Sequence, residues 1–254
     1  MNNKEFSEGF DTLVSSYRRF KDFDKQEMLD SIEFDEFEKS LYLTKAQEEI
    51  VISLYDGKNP FGDSFESTEE MRRSLDFLVE TAHLGPDNIS RSGDKSLEDT
   101  DFIDRCFIIP EDVMFITLEQ IIWNDLSLGC FNGKIVSVQP VTQDEYNKVR
   151  KNPFRGPTKY KALRLDPGYT TAAGRDSGTN IRVVEIISKY QFDHYTVRYL
   201  RRPRPIILET LPNELTIEGI NEATECELNP ILHHKILERA VLMALRAKGI
   251  NTDK

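Results

Sequence analysis

The chain has 254 residues, of which 39% are hydrophobic and 30% are charged, and its net charge is −11. This length is enough to bury a hydrophobic core, and the balance is that of an ordinary water-soluble protein. The negative charge argues against nonspecific affinity for nucleic acid as the main activity, because such affinity comes from cations that neutralise phosphates.

The sequence shows no sign of membrane insertion or secretion. Its apolar runs are far shorter than the about 20 residues of a membrane helix, and the first ten residues, MNNKEFSEGF, lack the apolar core of a signal peptide. Cys106, Cys130 and Cys226 are far apart and form no CxxC pair, which argues against a disulfide framework. We expect reduced cysteines in a protein made inside a cell, and retained there or in something assembled there.

The charge is distributed unevenly along the chain. Residues 1–112 carry 28 acidic and 13 basic residues, whereas residues 113–254 carry 16 acidic and 20 basic residues. One half is therefore strongly acidic and the other mildly basic, which indicates an oriented surface or charged partners.

The first part of the chain predicts helices. Apolar residues at helical spacing predict an amphipathic helix over 4–21. The acidic stretch 24–40 fits the start of a helix or a short extended segment. Thr44, with Gln47 three residues later, is the predicted N-cap of a second helix that ends at Gly57.

A third helix is predicted to begin at Thr68, and its apolar stripe continues until Gly85 and Pro86 stop it. This places His83 late in a helix. The polar residues 86–101 follow and predict a flexible loop.

Alternating and β-branched runs after this loop predict strands. The predicted strands are 103–109, 112–118, 134–138 and 160–165. Thr142 is predicted to cap a short helix over 142–151. Residues 166–180 contain three glycines and one proline, and predict a long hairpin loop.

Residues 181–208 carry the strongest β pattern. Apolar β-branched residues at its start, and alternation from Phe192 to Tyr199, predict an antiparallel hairpin with its turn at 188–191. In the RRPRP motif that follows, two prolines fix φ and remove backbone donors. We therefore expect an edge-like extended segment that carries Arg201, Arg202 and Arg204 into solvent, before residues 206–208 return to the core.

The last part of the chain predicts a turn and a short strand near 215–217, followed by a helix. Asn229 is its predicted N-cap, Pro230 its first residue and Gly249 its end. Helices, then strands, then a helix predict an α+β fold, with N-terminal helices and a C-terminal helix packed as a bundle and an inserted antiparallel β domain. The expected bounds are 1–85 for the helical part, 86–101 for the flexible loop, 102–226 for the β-rich domain and 227–254 for the returning helix.

No catalytic, cofactor-binding or metal-binding constellation stands out. The four histidines form no HxxxH or HExxH motif. The glycines of 168–178 lack a Walker lysine, the acidic segment 22–39 lacks EF-hand spacing, and Cys106 has no evident histidine partner. Carboxylates are too plentiful for one hydrolytic pair to stand out, so we expect no enzymatic activity and no cofactor.

Two basic runs, 148–164 and 198–204, are the candidate partner-binding features, and aromatic residues such as Tyr195 and Tyr199 interleave the second. One interpretation is docking to an acidic partner, or a solvated face; the other is contact with nucleic acid. An acidic half and a basic half also suit head-to-tail assembly into a closed ring. The candidate residues are Lys148, Arg150, Lys151, Arg155, Arg198, Arg201, Arg202 and Arg204.

Three segments carry a resemblance to a known family: SLYLTKAQEEIVISLYDG, TVRYLRRPRPIIL and ELNPILHHKILERAVLMALRAKG. The chain resembles structural proteins of crAss-like bacteriophages that infect gut Bacteroidales. Among these, it is similar to ring or head-to-tail adaptor proteins of the tail barrel in short-tailed phages. The resemblance implies a helical bundle with a β domain and no catalytic residues.

The resemblance also implies an assembly. It implies a virion protein, made in the cytoplasm of the bacterial host, that forms a homo-oligomeric ring, commonly twelvefold. The ring would stack below the portal or on a neighbouring ring or tail protein, and DNA would pass through its channel without sequence-specific binding. A slippery DNA conduit is often acidic, which would make the basic runs contacts between subunits or rings. The alternative is a nucleic-acid-binding accessory protein that uses residues 148–164 and 198–204.

Overall fold

The computed structural model describes residues 1–19, 33–57, 65, 68–85, 102–149, 152–171, 180–212 and 214–250. Within these residues the chain forms five α-helices and seven β-strands, which confirms the α+β class. The helices are α1 (Asn3–Arg19), α2 (Glu36–Asp56), α3 (Glu69–Leu75), α4 (Gln143–Val149) and α5 (Pro230–Ala247). The strands are β1 (Val79–Leu84), β2 (Ile103–Ile108), β3 (Val113–Trp123), β4 (Ile135–Pro140), β5 (Lys161–Thr171), β6 (Asn180–Ser188) and β7 (Phe192–Arg201).

The chain divides into two compact units. Met1–Leu78 and Arg202–Lys254 form the helical unit, and Val79–Arg201 form the sheet unit. The sheet unit is thus inserted between two segments of the helical unit. The predicted loop 86–101, and residues 24–32 of the predicted acidic stretch, lie outside the described residues.

Helices α1, α2 and α5 pack together in the helical unit, as the predicted bundle requires. Gly9 brings α1 close to α5, because a Cβ at this position would lie 2.8 Å from Leu237 Cδ2. Lys39 of α2 is buried, and its Nζ reaches across to Asp11 Oδ2 of α1 at 2.8 Å. Burial opposes the charge of Lys39, yet the hydrogen bonds and charges of its carboxylate partners outweigh it and raise the pKa of Lys39.

A buried polar stripe on α2 holds the proline-containing segment 204–208. The stripe consists of Ser40, Thr44 and Gln47, which are spaced by four and three residues and so lie on one helix face. Ser40 Oγ accepts from Leu208 N at 3.0 Å and Thr44 Oγ1 accepts from Ile206 N at 3.1 Å, while Gln47 Nε2 donates to Arg204 O at 2.8 Å.

The spacing of these bonds follows from the geometry of the two backbones. Four residues of a helix rise about 6 Å, which is close to the roughly 6.6 Å of two residues in an extended chain. Every second backbone group of the extended segment therefore meets a polar side chain of the helix. Residues 206–208 are buried there, which confirms their predicted return to the core.

This arrangement shows that the predicted cap at Thr44 is wrong. Helix α2 begins earlier, and Asp35 is its N-cap, since the Asp35 side chain accepts from Glu38 N at 2.6 Å. Thr44 lies in the middle of the helix, and its hydroxyl accepts a tertiary hydrogen bond from Ile206 N instead of capping the helix. The predicted end at Gly57 is confirmed, and Gly57 has a φ of 73°.

The predicted third helix is correct only in its first half. Helix α3 begins after Thr68, and a short 3-10 turn over Asp76–Leu78 follows it. Residues 79–84 then form β1, which pairs antiparallel with β7 along its whole length. His83 therefore lies on a strand, because pairing with a distant strand overrides the local helical pattern.

The seven strands form one mixed sheet in the order β1-β7-β3-β4-β5-β6-β2. All neighbouring pairs are antiparallel except β4 and β5, which corrects the prediction of a purely antiparallel domain. Helix α4 makes the crossover between these two parallel strands, as such connections require. Its Tyr146 and Val149 pack on Leu163, Leu165 and Ile187 of the sheet.

The predicted hairpin over 181–199 is wrong, although both of its strands exist. β6 pairs with β5 and β2, and β7 pairs with β1 and β3. Both edges of β6 are thus occupied, and residues 189–191 carry the chain to another part of the sheet. The sheet curls, so that Phe107 of β2 meets Tyr195 of β7 with ring centroids 5.2 Å apart.

The curled sheet encloses the core of its unit. The predicted alternation along β7 is confirmed for Tyr195, Val197 and Tyr199, which are buried, and for Arg198, which is exposed. Phe192 is also buried, although the alternation places it on the same face as Arg198. The main core residues are Phe107, Ile109, Ile121, Trp123, Val136, Val138, Ala162, Val184, Ile186, Phe192, Tyr195, Val197 and Tyr199.

The last segment follows the local signals closely. Asn229 Oδ1 accepts from Ile231 N at 3.1 Å, Pro230 opens α5, and Gly249 follows the helix with a φ of 80°. The strand predicted near 215–217 is absent from the described residues. Ile217 pairs instead with Ile220 across a tight turn at Glu218 and Gly219, both of which have positive φ.

The hydrogen bond between Thr44 and Ile206 predicts a large effect of a small substitution. In Thr44→Val the buried Ile206 N–H loses its acceptor, and we expect the free energy of unfolding to fall by about 1–3 kcal/mol. Urea unfolding followed by circular dichroism measures this.

Thr12→Val is the matched control, because Thr12 is an exposed threonine inside α1. We expect it to change stability by less than about 0.5 kcal/mol. Equal losses in the two variants would show that the polar stripe does not anchor the extended segment.

Candidate functional site

The arginines of the second basic run are engaged within their own units. Arg201 Nε lies 2.9 Å from Glu80 Oε1, and its side chain is only 17% exposed, so the prediction that Arg201 reaches solvent is wrong. The reason is that Arg201 is the last residue of β7, which pairs with β1, and Glu80 of β1 lies close enough to form an ion pair. Arg198 is exposed and makes no ion pair with a described residue.

Arg202 and Arg204 do reach solvent, but each faces a carboxylate of the helical unit. Arg202 Nε lies 3.4 Å from Glu48 Oε1, and Arg204 Nε lies 3.5 Å from Glu227 Oε1. The backbone between them is fixed by the polar stripe, which sets these side chains against their acidic neighbours. Their charges are therefore balanced locally.

The first basic run is divided among different environments. Lys148 is exposed on α4 and Arg155 is exposed on the loop before β5, whereas Arg150 and Lys151 lie outside the described residues. Arg164 is mostly buried in the sheet unit. Among these described residues of the run, Lys148 and Arg155 are therefore available at the surface and Arg164 is not.

Arg164 belongs to a buried network with Glu119 and Tyr195. Arg164 Nη1 lies 2.9 Å from Glu119 Oε1, and the Tyr195 hydroxyl donates a hydrogen bond to the same oxygen. Burial raises the pKa of Glu119, and the charge of Arg164 opposes this shift. Burial and the adjacent carboxylate also raise the pKa of the Tyr195 phenol. This network holds Arg164 inside the sheet unit and leaves it unavailable to a partner.

A group that the sequence did not reveal lies where β3 ends and β4 and β5 begin. It consists of Phe131, Lys134, Lys159 and Tyr160, hereafter the cation–aromatic cluster. The two rings meet edge to face, with centroids 5.5 Å apart. Lys159 Nζ lies 4.6 Å from the Phe131 centroid and 5.0 Å from that of Tyr160, and Lys134 Nζ lies 4.8 Å from the Phe131 centroid.

Local structure explains why these residues meet. The Asp125 side chain accepts from Ser127 N and begins the short 3-10 turn that ends at Phe131. Trp123 Nε1 donates to Lys159 O at 3.0 Å, which draws the loop before β5 towards the end of β3. The only sequence signal for the cluster is that each of two predicted loops has a lysine close to an aromatic residue: Phe131 with Lys134, and Lys159 with Tyr160.

The cluster includes an exposed ring, and exposed apolar side chains lie close to it in the sequence. Tyr160 is 61% exposed, and Leu126 and Ile135, close in sequence to Phe131 and Lys134, are 88% and 62% exposed. Exposed aromatic and aliphatic groups next to unpaired cations are typical of a surface that binds another macromolecule.

The sheet unit also has a shallow hollow on its outer face. It has a volume of about 310 Å³, and His83 Nδ1 lies 2.9 Å from Thr196 Oγ1 in it. Across the described part of the chain, no group of three or more His, Cys, Asp or Glu side chains is placed to hold a metal ion. The hollow is lined by His83, Gln120, Ile122, Ile135, His194 and Thr196.

These features define a class of protein that acts through its surfaces. The described residues offer exposed charge and apolar groups, with Arg164 and Glu119 serving the core. Among the helices described, none combines the length and apolar character needed to cross a lipid bilayer.

The whole chain, residues 1–254, matches the family described as phage tail ring protein 3/4, and it belongs to that family. Ring protein 3 of Bacteroides phage crAss001 is 43% identical over 249 residues, which cover 98% of this chain and 96% of the relative. Ring protein 4/5 of the same phage is 32% identical over 252 residues, covering 97% and 93% respectively. These similarities confirm the resemblance to crAss-like phage ring proteins.

The buried ion pair predicts a pH dependence of stability. In Arg164→Met, Glu119 loses the charge that opposes the burial shift, so its folded pKa rises further above the ordinary value of 4.5. The folded state then holds this proton more tightly than the unfolded state does. The stability from this group is complete below the unfolded pKa and is lost as pH rises through the folded pKa.

We therefore expect the free energy of unfolding of Arg164→Met to fall more than that of the wild type between pH 5 and pH 8, by about 1–2 kcal/mol. Urea titrations at several pH values measure it. The double variant Arg164→Met, Glu119→Gln is the control and should lack the additional fall. A double variant with the same pH dependence as the single variant would assign it to another group.

Proposed function

We propose that this chain is a structural subunit of a phage particle, without enzymatic activity. Copies assemble into a closed ring in the head-to-tail connector, or tail barrel, of a short-tailed phage. The ring links the portal to the tail and encloses the channel through which DNA passes. Its neighbours are the portal, another ring or tail proteins.

The near full-length similarity to Ring protein 3 carries this proposal. The aligned part covers 98% of the chain, so both the helical unit and the sheet unit are shared with a protein named for a ring. A second relative named for a ring shares both units as well. The inserted sheet unit is therefore part of the shared architecture.

A closed ring of identical chains needs two different, complementary surfaces on each copy. The two units differ in net charge, because the helical unit is strongly negative and the sheet unit is nearly neutral. The helical unit carries 27 acidic and 17 basic residues, whereas the sheet unit carries 17 and 16. The unbalanced negative charge of one unit favours contact with unpaired cations on the other unit of a neighbouring copy.

The charge also suits a conduit for DNA. The net charge of −11 disfavours retention of DNA phosphates, and Arg201, Arg202 and Arg204 are paired internally. Retention of duplex DNA depends on the number of contacts between cations and phosphates. DNA can thus pass without sequence-specific binding.

Native mass spectrometry of the purified chain tests the ring directly. We expect a closed assembly with a mass that is an integer multiple of 29.4 kDa. A ring of twelve copies, the number that the family resemblance implies, has a mass of about 353 kDa. If assembly requires a neighbouring phage protein as a template, we expect the complex with that protein to be heavier than the template alone by the mass of the ring.

The measurement is paired with an electrophoretic mobility assay on duplex DNA at several salt concentrations. A persistent monomer that joins no particle, yet retards DNA in a salt-dependent way, would contradict the ring. It would favour an accessory protein that binds nucleic acid.

A further inference from the structure

We propose that the cation–aromatic cluster of one copy binds the acidic loop of a second copy, and that this contact joins neighbouring subunits in the ring. The acidic loop is residues 209–225 of the helical unit. The inference rests on the proposed ring assembly and identifies the two surfaces that meet in it.

The lysines of the cluster are oriented but not neutralised. Lys134 and Lys159 contact the Phe131 ring from within 5 Å of its centroid. Neither ammonium group forms an ion pair or hydrogen bond with a described residue. Contact with an aromatic face holds a cation in place while leaving its hydrogen-bond donors available to an anion.

The acidic loop has the opposite character. Residues 205–234 contain six glutamates and no lysine or arginine. Two of these glutamates, Glu218 and Glu227, face Arg202 and Arg204 of their own unit. Four are exposed and form no ion pair with a described residue: Glu209, Glu214, Glu222 and Glu225.

The described part of the loop, 209–212 and 214–225, is held by backbone hydrogen bonds and a small core. Ile207 and Thr224 exchange two backbone hydrogen bonds of 3.2 and 3.0 Å, and Leu211 N donates to Asn221 O at 2.7 Å. Ile207, Leu211 and Ile217 bury a small core beneath the loop. A charged surface on a fixed backbone loses little entropy on binding, so it is prepared for a partner.

Each surface also has an apolar component. Leu215 of the acidic loop is 41% exposed, beside Glu214, and the cluster has Tyr160, Leu126 and Ile135 nearby. Burial of these groups would add a hydrophobic contribution to the charge attraction, which on exposed pairs alone is small.

A second copy of the chain fits the cluster better than DNA does. Two lysines neutralise about two phosphates, and so few contacts give weak binding at physiological salt. A second copy supplies, on one loop, four glutamates that form no ion pair with a described residue. Within a ring, every copy also has another copy beside it. Because each chain has one cluster and one loop, repeated contacts of this kind are head-to-tail and can close a ring.

Charge reversal tests the contact. The cluster variant is Lys134→Glu, Lys159→Glu and the loop variant is Glu222→Lys, Glu225→Lys. The control for charge change is Lys45→Glu, Lys189→Glu, since both lysines are exposed and lie outside the two surfaces. Native mass spectrometry across a concentration series gives the concentration at which half of the chains are in rings.

We expect the cluster variant and the loop variant each to raise this concentration by at least about tenfold, because like charges then face each other. The control should change it by less than about threefold. An equimolar mixture of the two variants should restore assembly, because each reversed surface meets a reversed partner in an alternating ring. This rescue also shows that both variants are folded.

Three results would overturn the inference. Assembly of the variants at the wild-type concentration would exclude the contact while the wild-type ring still supports the proposed function. Failure of the mixture to assemble would exclude the acidic loop as the partner. A cluster variant that loses salt-dependent retention of DNA but keeps its ring would make the cluster a DNA contact. Absence of rings in the wild type would instead reject the proposed function itself, and the inference with it.

Discussion

The buried polar stripe of Ser40, Thr44 and Gln47 on α2 is the constraint on which much of the helical unit depends. A buried helix face with three polar side chains is unfavourable unless each finds a partner. The partners are backbone groups of 204–208, a segment that Pro203 precedes and that contains Pro205, and both prolines favour an extended chain. This contact fixes the path that leads into the acidic loop. It also explains why Arg202 and Arg204 meet carboxylates of their own unit.

Ion pairing then decides which charges are available for assembly. The arginines at 201, 202 and 204 are matched locally, and Arg164 is committed to the buried Glu119. Lys134 and Lys159 contact aromatic rings instead, and so keep their charge for an external anion. Four glutamates of the acidic loop are equally unmatched. The surfaces with unmatched charge are therefore the candidates for contact between subunits, and the basic run 148–164 contributes Lys159 to one of them.

Helix ends that depend on a few adjacent residues could be predicted from the sequence, whereas contacts between distant residues could not. Asn229 and Pro230 begin α5, and Gly57 ends α2, because capping is a matter of a few adjacent residues. The cap predicted at Thr44 is wrong because the Thr44 hydroxyl binds the backbone N–H of Ile206, which is 162 residues away and invisible to a local pattern. Residues 79–84 and the strands around 181–199 were misassigned for the same reason, since strand pairing is decided by the whole sheet. The basic runs were visible, but their partners were not, and a cluster built from residues 131 and 160 has no continuous signature in the sequence.

Cross-linking in rings of mixed isotopic composition tests the contact between copies most directly. Rings would be assembled from equal amounts of ¹⁴N-labelled and ¹⁵N-labelled chains, and a carbodiimide would then join amines to carboxylates at zero length. We expect peptides that link Lys134 or Lys159 to a glutamate of residues 209–225, with about half of these links joining a light chain to a heavy one, as random mixing requires in a ring of identical subunits. The account would be contradicted if every link from those lysines joined two peptides with the same isotope, which would mean links within one chain. Links between chains to carboxylates outside the acidic loop would also contradict it.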